Sequence, residues 1–538
     1  MAPASRHRVT APMASEERYH GNRIRSALQT YFWLRMAALA LAFVCQIVIV
    51  KCLAPDQYAT YAILLALIIA GERTLSFGVD RAVTRFVPKL TEEGNLPAID
   101  AVIRRTLLIR LAGLAILLVL CLVAMGVGAT GWLPVPLDNW ILLPFAIWFV
   151  ATALLFDADA YAQSWLAHGD SARSTLAEVI LRLVATVLCL ALVGQLTATE
   201  LVWISMATQS LATGFLVYRL IRLRIHLRAE ATGLNSEAAP FDPTIVPGFA
   251  FANFASTLMY LVSSPPVIRI VASSGLSVVA LAAYSFVQTL ALSVQRLLPG
   301  MSILPSLEPF AMAGVAGDRR AEVLAALSLV FKLELIAILA GTIVATLFGH
   351  DLILLLSRPE YAGYYFVLPL LLVYVSFATA YRLVEIVLNA HLRHRTFFWV
   401  WPLGLLSTLA IAVTVDRWGI WSVLLIPIAE ILLRVAGLSV VFRRLNLGRV
   451  FDLRHTLPVM AMAAVLIGAL LWMRGPLGGG TLVDLGLAIA GTIAFLAGLT
   501  VLKPLALQET GWLEHSVPKA LKFALAPMRF VTQPLGAG

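Results

Sequence analysis

Apolar residues in this chain come in runs of roughly twenty, each closed by a short turn or a basic loop. The stretch Cys52–Leu90 shows the unit. A polar turn at Pro55 and Asp56 opens a mostly apolar run, Tyr58 to Phe77, whose only charges are Glu72 and Arg73 near its far end. Such a run, wound as a helix, crosses a hydrocarbon layer about 30 Å thick. Beyond it Arg81 and Arg85 stand four residues apart and share one helical face. The pattern predicts a membrane helix that hands over to a cytoplasmic amphipathic segment.

The same alternation predicts an all-α polytopic membrane protein with about fourteen transmembrane helices. The expected spans are 31–52, 57–78, 104–128, 139–164, 175–194, 198–220, 245–271, 276–304, 322–348, 362–388, 397–415, 420–442, 455–473 and 482–502. Arginine sets their direction. The N-terminal tail and the loops holding Arg73 to Arg105, Arg219 to Arg228, Arg319 and Arg320, Arg393 and Arg395, and Arg443 to Arg454 are basic. The alternate turns are nearly bare, carrying only Lys51, Arg269, Arg358, Arg417 and Arg474. The bias alternates without a break in register, which places both termini in the cytoplasm.

Composition changes the picture in one respect. The chain is 60% hydrophobic and 13% charged, where a soluble domain is nearer a quarter charged, so its solvent is lipid. The net charge of +10 belongs to loops that set topology and meet anionic lipid heads, and no nucleic-acid partner is expected. Residues 1–30 are a basic tail, and the first apolar run lacks the short core and small-residue cleavage site of a signal peptide, so it reads as a retained anchor. The cysteines Cys45, Cys52, Cys121 and Cys189 have neither disulfide-framework nor metal spacing. Gly126–Gly131 matches a glycine-rich nucleotide motif but has no strand before it, and reads as a turn. His391 and His394 have no third ligand nearby. With no Walker loop and no nucleophile elbow, the chain is expected to be no enzyme and to carry no cofactor or metal.

Charges inside the spans are the candidate chemistry, because each costs roughly 2.5–3.5 kcal/mol at membrane depth without a partner or a wet cavity. In the hairpin of the fourth and fifth spans, Asp157 is expected level with Arg182 and Tyr161 with Glu178, with Glu178 and Arg182 also one turn apart. An ion-pair network and a coupling-ion or proton site satisfy this pattern equally. Asp159 faces another way, has no obvious partner, and is the better candidate for a titrating carboxylate. In the next lobe Arg296 falls near the depth of Glu334, a further coupling candidate. Lys332 lies near mid-membrane, off the face of Glu334. Arg296 and Lys332 are read as a grip on an anionic headgroup, against snorkelling or local pairing. Arg35, one turn into the first span, either joins them or snorkels to the inner face, and Arg81 with Arg85 are interfacial phosphate contacts, with lipid favoured over substrate. Arg382 with Glu385, and Glu430 with Arg434, are spaced as structural pairs. Pro265 and Pro266 interrupt the seventh span and Pro299 punctuates the end of the eighth, so they are hinge candidates.

The stretch "APDQYATYAILLALIIAGERTLSFGVDRAVTRFVPKL" resembles the polysaccharide biosynthesis proteins, the O-antigen and exopolysaccharide flippases of the MOP (multidrug/oligosaccharidyl-lipid/polysaccharide) superfamily. Pro55, Tyr58 and Tyr61 match the opening of the family's second helix. Gly78, Val79 and Asp80 match its turn, and Arg85 to Pro88 the segment beyond. Gly275–Phe310, "GLSVVALAAYSFVQTLALSVQRLLPGMSILPSLEPF", is similar to the opening helix pair of the second lobe. The resemblance implies two six-helix lobes plus a C-terminal helix pair: a tail at 1–30, an N-lobe at 31–221, an inter-lobe loop at 222–244, a C-lobe at 245–443, an extra pair at 444–503, and a tail at 504–538. That last tail mixes apolar and basic residues in the manner of an interfacial helix.

It also implies a function. A polyprenyl-pyrophosphate-linked oligosaccharide would be moved across the bacterial inner membrane by alternating access through a cationic central cavity, for exopolysaccharide or lipopolysaccharide synthesis. The implied partners are this lipid-linked substrate, membrane lipids, and polysaccharide polymerase and export proteins. A multidrug or cation exporter of the same superfamily, with an acidic cavity, is the alternative. A membrane-embedded sugar polymerase or ligase is disfavoured because the outward loops are short and nearly bare. The topology has a direct check: reporter fusions at Gly128 and Glu237 are expected to report outside and inside respectively, and the reverse pair would overturn the orientation.

Overall fold

The computed structural model describes residues 21–126, 139–165, 167–231, 241–298, 311, 320–391, 400–444, 453–478 and 480–505. These are helical almost throughout, with no β-strand among the described residues. Before the long polar loop run α1 (Gly21–Cys52), α2 (Pro55–Leu75), α3 (Val79–Glu92), α4 (Leu96–Gly126), α5 (Leu142–Ser164), α6 (His168–Val193) and α7 (Ala198–Ala231). After it come α8 (Ile245–Leu261), α9 (Pro265–Ala272), α10 (Val278–Leu297), α11 (Arg320–Leu347), α12 (Gly349–Leu356), α13 (Val367–Ala390), α14 (Trp401–Trp418), α15 (Ile420–Arg444), α16 (Leu453–Arg474) and α17 (Thr481–Leu502).

Each expected span falls on a helix. Eleven helices among the described residues are long and apolar enough to cross a membrane. The remaining expected spans fall on α4, on the broken pair α8–α9, and on α14. Leucines and valines such as Leu108, Leu118, Leu188, Leu192, Leu406 and Val413 are exposed on these helices, as a lipid-facing surface requires. The chain is a multi-pass membrane protein.

Two details depart from the pattern reading. Helix α1 begins at Gly21, inside the stretch expected as a tail. Arg269, counted among the outward turns, lies instead within α9 and is 5% exposed. Several expectations fall outside the described residues: residues 1–20 of the tail, the tail beyond 505, Pro299, the glycine-rich turn at 127–131, His394, and the fusion sites Gly128 and Glu237.

The described chain divides into two compact units. One holds 21–45, 68–126 and 139–258; the other holds 46–67 and 259–505. In the first, α5 packs on α7, α6 on α7, and α3 against α4 and α5. Helix α3 is the expected amphipathic segment. Val79, Ala82, Val83, Val87 and Leu90 are buried against Ile99, Val102, Val246 and Ala250. Thr84, Arg85 and Lys89 face out. The turn into α3 is sharp because Gly78 has φ of 75°, and a Cβ there would collide with the Ala250 carbonyl. Helix α7, with 34 residues, runs about 50 Å and so outlasts the hydrocarbon layer. Its end is tied back by Arg224 and Arg228, which both pair with Asp100 of α4.

In the second unit α11 packs on α13, α13 on α15, α14 on α15, and α10 on α13. The α16–α17 pair lies along α11, joining its core through Val459, Ala463, Phe495 and Leu499. Lipid tails are as apolar as these side chains, so such packing rests on close fit and polar cross-links more than on the hydrophobic effect.

Candidate functional site

The first unit is built around Arg110, which the depth reading missed. It is 1% exposed on α4. Its Nε and Nη2 donate to the two carboxylate oxygens of Asp157 on α5, both at 2.5 Å. Nη2 also reaches Glu72 Oε1 of α2 at 3.3 Å and the Ala153 carbonyl at 3.4 Å. One guanidinium thus joins three helices through two carboxylates, the bidentate geometry for which arginine is suited. One turn away Thr106 and Tyr161 share a hydrogen bond of 2.6 Å.

Asp157 is therefore engaged by Arg110, not Arg182. Arg182 pairs with Glu178 on its own helix at 3.3 Å. A signal for the true partner was present: Arg110 and Asp157 are equidistant from the middle of the connection between α4 and α5, as are Thr106 and Tyr161.

Asp159 does have partners, contrary to expectation. Ser171 Oγ donates to its Oδ1, and Gln163 Nε2 to its Oδ2 at 3.1 Å. Both donors are neutral side chains. The structure also brings Arg35 into the same neighbourhood. Arg35 donates to the Tyr31 hydroxyl, the Tyr31 ring stands 5.5 Å from the His168 ring, and Asp159 is within electrostatic reach of Tyr31 and His168. Arg81 is half-buried and Arg85 exposed on α3.

In the second unit Glu334 is 1% exposed on α11. Thr379 of α13 donates to its Oε1 at 2.5 Å, and Gln295 of α10 donates to Thr379 at 3.2 Å. This chain puts the neighbour of Arg296 at the level of Glu334. Oε2 of Glu334 is buried with no hydrogen-bond partner among the described residues. Lys332 is 2% exposed on the same helix, whereas Arg296 is exposed in the last turn of α10.

The proline pair does break its span. Ser264 is extended, and Pro265 and Pro266 open α9. The exposed backbone is answered locally: Thr408 donates to the Val262 carbonyl at 2.8 Å and Arg434 to Ser263 Oγ at 2.9 Å. Arg434 is held on α15 by Glu430, the expected same-helix pair, and fits because α14 has Gly404 beneath it, where a Cβ would strike the guanidinium. Arg382 and Glu385 pair at 2.8 Å, also as expected. Outside the spans, Thr244 donates its N–H and hydroxyl to Asp242 just before α8, which holds that carboxyl below its usual range. Among the described residues, no cluster of three or more His, Cys, Asp or Glu side chains has metal-site geometry.

Comparison with known proteins places the fold. No protein-family description and no curated protein matches the sequence. Solved structures do match. The lipid II flippase MurJ, in an inward closed conformation, aligns with a TM-score of 0.59 at 11% identity, over 86% of this chain and 97% of that one. A multidrug resistance MATE family transporter of the MOP superfamily, inward-facing, aligns at 0.54 and 11% identity over 77% and 98%. A MOP superfamily transporter from Pyrococcus furiosus, described as having a binding pocket of reverse polarity, aligns at 0.52 and 12% identity over 79% and 96%. The chain thus has the helical fold shared by MOP-superfamily transporters. At these identities the likeness establishes fold and nothing narrower.

The Arg110 cluster is testable by stability. Arg110→Met is expected to lower stability by about 3–5 kcal/mol, because it strands two buried carboxylates. Adding Asp157→Leu and Glu72→Leu is expected to restore most of the loss in thermal unfolding of the purified protein. No recovery in the triple variant would show that the ion pairs are not what Arg110 supplies.

Proposed function

We propose that this protein is a flippase that moves a polyprenyl-pyrophosphate-linked oligosaccharide from the inner to the outer leaflet of a bacterial inner membrane, for exopolysaccharide or lipopolysaccharide synthesis, by alternating access. The observation that carries this reading is how the buried acids are spent. Glu72 and Asp157 meet Arg110, Glu178 meets Arg182, Glu430 meets Arg434, and Asp484 meets Arg474. Among the described residues those five acids are engaged by arginine and so are not open to a cationic drug. On the basic side Arg35, Arg85 and Arg296 are exposed, and Lys332 is buried in the second unit.

In this reading Arg296 and Lys332 grip the pyrophosphate, with Arg35, Arg81 and Arg85 receiving it at the inner face. Both termini lie in the cytoplasm, and polymerase and export proteins act downstream. A sugar-phosphate head cannot shed its water in hydrocarbon without replacement contacts, which polar and cationic side chains supply. An inside-negative potential favours outward movement of an anion by roughly 2.3 kcal/mol per charge per 100 mV. Asp159, whose hydrogen-bond partners among the described residues are neutral, would couple a proton or sodium ion in this reading; Asp157, tied to Arg110, serves structure first. Pro265 and Pro266 mark the helix break where hinge motion would localise.

One observation favours the exporter alternative. Glu334 is a buried carboxylate whose Oε2 has no partner among the described residues, as a cation-binding site would need. A transport assay separates the two. Arg296→Ala and Lys332→Ala are each expected to cut lipid-linked oligosaccharide translocation by at least about tenfold with normal protein level, the loss of one charge-assisted contact of about 1.5–3 kcal/mol. In the same assay Asp159→Asn is expected to flatten the pH or sodium dependence. Wild-type transport in both cation variants, or export of a lipophilic cation lost in Glu334→Gln, would replace the flippase with the exporter.

A further inference from the structure

Three arginines among the described residues are less than a tenth exposed: Arg110, Arg269 and Arg434. Arg110 and Arg434 follow the usual rule and hold carboxylates. Arg269 does not. Its Nε and Nη2 donate to Gln288 Oε1 at 3.2 and 2.7 Å, Nη1 to the Ala62 carbonyl at 3.3 Å, and Nη2 to Thr289 Oγ1 at 3.4 Å. The ionisable groups that it feels are Tyr58 and Tyr284, both protonated at neutral pH. Neutral oxygens satisfy the N–H groups but, among the described residues, leave the charge itself without a counter-charge, in a place where charge is expensive.

The environment of Gln288 shows where a counter-charge would go. Because Oε1 faces Arg269, the amide nitrogen faces the other way, and it donates to the Tyr284 hydroxyl oxygen at 2.7 Å. Tyr284 accepts that bond, so its own O–H is the onward end of a relay that begins at the guanidinium. Each step polarises the next in the same sense. Tyr284 and Gln288 both line a cavity between α9, α10, α13 and α15, together with Pro265, Ile268, Tyr374 and Pro427. Its volume is about 20 Å³, room for one water-sized occupant and too little for a pyrophosphate.

We propose that this cavity is a small-anion site, in which one chloride-sized ion accepts the Tyr284 hydroxyl and supplies the counter-charge that Arg269 lacks. The relay excludes cations, because its outward end is a donor backed by a positive charge. The site lies wholly within the second unit and is separate from the residues assigned to substrate. Pro265, the first residue of α9, forms part of its wall, so occupancy stabilises the broken helix against α10, α13 and α15.

The test uses the full-length protein in lipid nanodiscs. Its unfolding temperature is followed as sodium chloride replaces sodium gluconate at constant ionic strength, and again with sodium bromide. Chloride and bromide are expected to raise it along a saturating curve, since a ligand bound only by the folded state stabilises with concentration in that form. Tyr284→Phe removes only the donor hydroxyl and is expected to raise the half-saturating chloride concentration by about tenfold or more, the loss of one hydrogen bond to a charged group. Gln288→Glu places a carboxylate on Arg269, and is expected to abolish the chloride response while melting above the wild type in gluconate. Equal wild-type curves in chloride and gluconate would mean that the cavity holds only water. A wild-type chloride response in Tyr284→Phe, or in Gln288→Glu, would overturn the site as drawn.

Discussion

Charge placed in hydrocarbon must be answered by something, and that demand organises this molecule. Apolar helices in lipid gain little by touching one another, so polar cross-links decide which faces meet. Arg110 is the strongest case. By holding Asp157 and Glu72 it fixes the rotation of α2, α4 and α5 about their own axes. Arg434 does the same in the second unit, bound to Glu430, donating to Ser263 and seated over Gly404. Breaking either would leave a bare charge in a medium that cannot solvate it.

Much of this was legible in the residue pattern. Span positions follow from the length of apolar runs, which the bilayer sets, so each expected span met a helix. The amphipathic α3, the break at Pro265, and the pairs Glu430–Arg434 and Arg382–Glu385 are local in sequence, and local spacing reveals them. What failed was rotation between helices. Spacing from a turn gives depth but not which way a side chain points. Asp157 was accordingly matched with Arg182 at equal depth, although Arg110, at equal depth across the other hairpin, is its partner. Asp159 seemed partnerless because serine and glutamine carry no charge to announce them. Arg269, near the end of the expected 245–271 span, counts with the outward turn by position, whereas it lies inside α9 with its side chain buried.

The same demand links fold to function. The same fold is found in a lipid II flippase and in a multidrug resistance transporter, so the fold does not choose between them. The choice lies in which charges remain after the structural pairs are made. Here the structural pairs consume acids: Asp157, Glu72, Glu178, Glu430 and Asp484 are each bound by arginine. Arg35, Arg85 and Arg296 are exposed and Lys332 is buried, while Glu334 keeps one carboxylate oxygen without a hydrogen-bond partner among the described residues. The proposal of a negative cargo rests on that use of the acids.

The sign of the cargo is therefore the decisive quantity. The direct measurement is translocation in proteoliposomes of two lipids that share one polyprenyl chain and one glycan, the first joined by pyrophosphate and the second by an uncharged ether. An anion-selective flippase moves the first, faster when the potential pulls negative charge in the direction of transport, and leaves the second behind. Equal movement of both lipids, or indifference to the potential, would contradict the account.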